Sequence, residues 1–174
     1  MSIQSQQKVK GTLMKLQRQV VLLSALVLAA SLPAMAQVER AAIRTDGISC
    51  GVCAAVAEFH LKRLPSIDKI TISLKNEAVM ISYKPGSTFQ PKDLREALKK
   101  TDVTVTQMQI SARGQVQEQA GKRFFIAGKD KFALVSAANA PQLPSDTPVM
   151  IEAVVNDKTD PMELRIMTFK PLKQ

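Results

Sequence analysis

An α+β fold is predicted by three features of this 174-residue chain. Residues 40–111 alternate strand-like and helix-like runs in the order β-α-β-β-α-β. Residues 114–169 hold only strand-like runs and turns. Ala112-Arg113-Gly114 separates the two regions, and a basic, apolar leader precedes both. The expected division is therefore 1–36, 37–112 and 113–174.

The leader reads as a signal peptide. Residues 1–19 carry Lys8, Lys10, Lys15 and Arg18 without an acid, residues 20–32 are mostly apolar, and Ala34-Met35-Ala36 supplies a small-x-small cleavage pattern. The apolar run is 13 residues long, short of the ~20 that a spanning helix needs. Cleavage after Ala36, a periplasmic or secreted protein, and no stable membrane insertion after cleavage are expected.

In the next region, residues 41–45 form a short strand. A first helix runs over about 52–64 and stops at Pro65, since proline disfavours helical geometry in the residue before it. Ile70, Ile72 and Leu74 alternate with polar residues as a half-buried strand. Lys75-Asn76-Glu77 is turn-like, and residues 78–83 complete a hairpin. After the break at Lys84-Pro85-Gly86-Ser87, a second helix spans about 91–100. Pro91 suits its first turn, with Asp93 near the start and Lys99 and Lys100 at the end, as the helix dipole favours. Val103, Val105, Met108 and Ile110 make a fourth strand. This order is the split βαβ, or ferredoxin-like, arrangement: two helices on one face of an antiparallel sheet.

The last region offers five strand candidates, over 114–118, 123–127, 132–135, 149–155 and 163–169. A proline-rich connection over 140–148 joins two of them. A region of about 60 residues built this way must hide its strand edges, so a small all-β, OB-like barrel is expected. It holds no Gly-rich phosphate loop, histidine or defensible acid pair, so no catalytic site is assigned and the chain is not read as an enzyme.

The formal charge of +9 falls by the four leader cations to +5 on residues 37–174. Without long basic runs or interleaved aromatics, this mild excess gives no nucleic-acid footprint. Export places the two cysteines where disulfides persist.

Those cysteines, Cys50 and Cys53, stand in Cys50-Gly51-Val52-Cys53 at a strand-to-helix junction. Two thiols at this spacing can hold one soft ion or close a disulfide. A full tetrahedral zinc site needs more ligands than they supply. Thiolates select Cu(I) and similarly thiophilic ions, and the start of a helix favours a negative sulfur. Two thiolates suit the low coordination numbers of Cu(I), Ag(I) or Hg(II). A structural disulfide and a redox-active thiol pair are the alternatives.

Gly47-Ile48-Ser49-Cys50-Gly51-Val52-Cys53, followed by Leu61, Leu64-Pro65-Ser66-Ile67 and the two hairpin strands, resembles the heavy-metal-associated domain over residues 40–111. That family includes copper chaperones, the periplasmic mercuric-ion-binding protein and the N-terminal modules of metal-pumping ATPases. The resemblance implies Cys50 and Cys53 as metal ligands. It also implies that Ile48, standing where the family has methionine, packs beneath the loop. Zinc-tuned modules often carry an acid where Ser49 stands, so the resemblance tilts toward Cu(I) over Zn(II). The lysine or aromatic residue that family members place near the metal is replaced here by Val103.

His60, the single histidine, lies seven residues beyond Cys53, about 10.5 Å along a straight helix. It is read as a packed or edge residue, not a third ligand. Met1, Met14 and Met35 fall in the leader; Met80, Met108, Met150, Met162 and Met167 are scattered and read as core fillers. In the first helix, Cys53, Ala57, Leu61 and Leu64 form the sheet-facing stripe. Val52, Val56 and Phe59 add a second, which widens the apolar arc and predicts cover by residues 114–174, with a partner protein as the alternative.

Together these readings give an exported, non-enzymatic protein that captures Cu(I) or a similar thiophilic ion and buffers it or passes it to a metal-transporting protein. The alternatives are a thiol-disulfide redox protein and a degenerate module serving protein-protein interaction. A thioredoxin-like arrangement would want another element order and usually an aromatic residue in place of Ser49.

Overall fold

Residues 36–135 and 141–172 are described by a computed structural model of the chain. The leader reading, with its cleavage pattern and three methionines, lies outside them apart from Ala36. Among the described residues no helix is long and apolar enough to cross a membrane.

The first region has β1 (Gln37–Asp46), α1 (Gly51–Leu61), β2 (Ile67–Ser73), β3 (Ala78–Tyr83), α2 (Pro91–Lys99) and β4 (Thr104–Gln119). Its strands lie in the antiparallel order β2-β3-β1-β4, so the expected ferredoxin-like arrangement is present. On the helix-facing side, Ala41, Ile43, Val79, Ile81, Met108 and Ile110 are buried with Ala57, Leu61, Leu94 and Leu98. Period-2 strand residues here meet helical stripes of period 3.6, which is how each element hides its apolar face.

α1 ends three residues earlier than expected. Pro65 keeps the residues before it from continuing the helix. The chain tightens instead: Arg63 N–H donates to the His60 carbonyl at 3.3 Å and Leu64 N–H to the Leu61 carbonyl at 3.0 Å.

The expected break at Ala112-Arg113-Gly114 is absent; β4 is one 16-residue strand. Alternation carries through it, with Met108, Ile110, Ala112, Gly114 and Val116 buried on one side. Gly114 marks a close approach, not a turn, because a Cβ there would collide with the Ile126 carbonyl and sit 2.8 Å from the Phe125 ring.

β4 thus belongs to both regions. It pairs with β1 over 104–113, with β7 (Val149–Asn156) over 108–114 and with β5 (Lys122–Ala127) over 115–119. β5 pairs with β6 (Asp130–Leu134), β6 runs parallel to β8 (Glu163–Pro171), and β8 returns antiparallel to β7. The pairings of β4, β5, β6, β8 and β7 therefore run in a closed ring. Phe125, Phe132, Ile151 and Leu164 are buried with its other inward residues.

The ring is fastened to the rest on the α2 side. Phe132 packs against Phe89, which meets Tyr83 edge-on with ring centroids 6.1 Å apart. Beside them the buried Asp130 carboxylate accepts the Phe89 N–H at 3.0 and 3.2 Å. Arg95 of α2 holds Asp157, just beyond β7, through a forked pair at 2.6 and 2.9 Å.

The expected cover over Val52, Val56 and Phe59 is not found. These side chains are 74%, 41% and 54% exposed. α1 lies toward β2 and α2 toward β4; the ring continues from β4 and so stands on the far side of α2.

Candidate metal centre

Cys50 and Cys53 are brought together at the start of α1. Cys50 is the N-cap residue in extended geometry (φ −137°, ψ 158°), and its Sγ accepts the Cys53 N–H at 3.1 Å. A side-chain acceptor here satisfies one of the unpaired N–H groups of the first turn. The two Cα atoms are 5.2 Å apart and the sulfurs are joined as a disulfide. Cys50 is exposed and Cys53 half-buried, so the pair is accessible from solvent.

The loop beneath is rigidly backed. Ile48 is fully buried, filling the space expected of it. Gly47 takes φ +106°, a conformation that suits glycine. A Cβ on Gly47 would stand 3.0 Å from the Asp102 carbonyl, so the loop after α2 presses against the loop that carries Cys50. Val103 is buried as part of that backing.

His60 joins no ligand group. It is half-buried and meets Phe59 edge-on at 5.5 Å, while Arg63 lies over the Phe59 ring at 4.3 Å. Among the described residues, no three His, Cys, Asp or Glu side chains converge as metal ligands. Reduced, the α1 turn would offer two sulfurs, a set that fits a soft ion of low coordination number and not a closed four-ligand zinc site. Of the methionines, Met108 is buried as a core filler, whereas Met80 and Met167 are exposed and fill no core.

Two acids at the junction with the ring were not singled out by sequence. Burial pushes Asp130 up to about 6, against the Phe89 N–H, which pulls it down. Burial, with Asp130 as the second cause, also pushes the Tyr83 phenol well above its ordinary range, and its hydroxyl is buried without a hydrogen-bond partner. For Asp157, the hydrogen bonds from Arg95 hold the carboxyl below the usual range and outweigh burial. Asp130 follows a Gly-Lys turn and Asp157 an asparagine; both look like ordinary turn acids, and only their distant partners distinguish them.

Residues 42–102 match the heavy-metal-associated domain. Copper-transporting ATPase 2 of Homo sapiens is 33% identical over 66 residues, 38% of this chain and 4% of the relative. Its Mus musculus counterpart is 33% identical over 54 residues, 31% of this chain and 4% of the relative. The chain thus spans only 4% of the length of these curated relatives. A solved structure described as CopZ metallochaperone aligns at 21% identity over 38% of this chain and 98% of its own, with a TM-score of 0.36. The stretch similar to a heavy-metal-associated domain is thus residues 42–102, which hold both helices and the Cys50–Cys53 turn.

Proposed function

We propose that the protein is an exported, non-enzymatic carrier or buffer of Cu(I), which it takes through Cys50 and Cys53. The observation that carries this reading is the match to a heavy-metal-associated domain with both thiols at the accessible start of α1. Among soft ions copper is favoured by the copper-transporting relatives, and soft ions as a class prefer the two-sulfur donor set. Ag(I) and Hg(II) share that preference, and Zn(II), which wants more ligands, binds more weakly. A metal-transporting protein is the proposed partner, and the proposed compartment is the periplasm or exterior.

The binding chemistry follows from the residues. The disulfide takes up two electrons and two protons from a thiol reductant to give two thiols. Loading one Cu(I) then releases two protons and leaves an anionic dithiolate complex. Gly51 has open space around it, so the turn can adjust as the sulfurs separate.

The remaining residues are proposed as an OB-type barrel. The closed ring β4-β5-β6-β8-β7, with β6 parallel to β8, supports that reading. The modules 37–112 and 113–174 then meet inside β4. A second function, thiol-disulfide exchange, is favoured by the disulfide itself.

Reduced protein prepared without oxygen should bind one Cu(I) per chain, and the Cys50→Ser/Cys53→Ser variant none tightly. Tight binding by that variant would place the site elsewhere. Catalytic turnover of thiol-disulfide exchange without stable copper binding would favour the redox reading. Mass spectrometry of the exported protein should find Gln37 as its first residue.

A further inference from the structure

We infer that the barrel positions the metal loop, with Asp157 and Arg95 as positioning residues for Cys50. This rests on the Cu(I) reading above and adds a role for the strands outside the heavy-metal-associated domain. The link is a short series of contacts. Asp157, with its side chain only 9% exposed, receives Arg95 Nε at 2.6 Å and Nη2 at 2.9 Å. The same guanidinium donates through Nη1 to the Val105 carbonyl at 3.0 Å. One planar fork thereby ties α2, β4 and the β7–β8 turn together, a geometry that lysine cannot reproduce.

Val105 stands where the β1–β4 register shifts, opposite Thr45. A bulge of this kind disrupts the ladder locally, and Arg95 supplies a donor to the backbone there. Thr45 is two residues from Gly47. On the other side, α2 ends in a turn in which Val103 N–H donates to the Leu98 carbonyl at 3.3 Å and Thr101 Oγ1 to the same carbonyl at 2.7 Å. That turn presents the Asp102 carbonyl to Gly47. Both routes from Arg95 therefore converge on the residues just before Cys50. Releasing Asp157 leaves α2 and Val105 free to shift, and the backing of Gly47 and Ile48 moves with them.

Transfer of Cu(I) from loaded, reduced protein to bicinchoninate, followed by stopped flow without oxygen, tests this. Asp157→Asn should speed transfer about three- to tenfold, the scale of coupling through packed networks. Ile166→Val, a variant in β8 opposite Ala153, should leave the rate unchanged once the two are compared at equal unfolding stability. In metal-free reduced protein, amide exchange at 47–53 should quicken in Asp157→Asn alone. Equal transfer rates and equal amide exchange in the two variants would overturn the inference. Should wild type bind no Cu(I), the function fails, and the amide exchange still decides whether the link exists. Arg95→Lys replaces Asp157→Asn if the latter does not fold, with the same outcomes.

Discussion

Asp130 is the residue whose chemistry is most altered by its surroundings. Its carboxylate is buried with one backbone N–H for a partner and titrates near 6. Between the ordinary carboxylate range and pH 6 the folded protein keeps a proton that the unfolded chain has given up, so stability falls as pH rises across that window. Asp130→Asn retains an acceptor for Phe89 N–H and has no charge to desolvate. Urea unfolding at pH 4.5 and 7.5 should show this slope flattened in the variant. The variant should be more stable than wild type at pH 7.5, by at most about 3 kcal/mol. Gly47 is a second special residue: Gly47→Ala meets both a positive φ and the Asp102 carbonyl, and should cost about 1–3 kcal/mol in the same measurement.

α1 carries two apolar stripes with different fates. Ala57 and Leu61 are buried against the sheet, while Val52 and Phe59 stay largely in water. The reason is the element's position, toward β2 and away from the ring. Val52→Lys is therefore expected to change unfolding stability by no more than about 0.5 kcal/mol. A covered valine would have lost about 1.5–3 kcal/mol of burial. Circular dichroism during thermal unfolding checks this directly.

The described residues share one core across what sequence divides in two. β4 supplies strands to both halves, and Tyr83, Phe89 and Phe132 pack across the junction. Neither half can lose its structure without exposing apolar surface of the other. A single cooperative transition is expected, with calorimetric and van't Hoff enthalpies in agreement. Two resolved transitions would mean that β4 frays at its middle and the halves fold separately.

Much of the fold was legible along the chain. The βαββαβ order, the hairpin and the four later strands follow from period-2 and period-3.6 patterns, because each element is patterned by the face it buries. The meeting of Cys50 and Cys53 at the start of α1 was legible too, since a Cys-x-x-Cys spacing brings two sulfurs together. The continuity of β4 was not, because Gly114 reads as a breaker until Phe125 and Ile126 are seen against it. Nor was the bare stripe of Val52, Val56 and Phe59: apolar spacing shows that a face is apolar, not what stands opposite. Arg95 meets Asp157 across 62 residues and Asp130 meets Phe89 across 41. Local pattern determined which elements form and where the sulfurs sit. Only tertiary packing decided which side of the sheet the ring occupies, because that depends on the path of one strand and on charges brought together from distant turns.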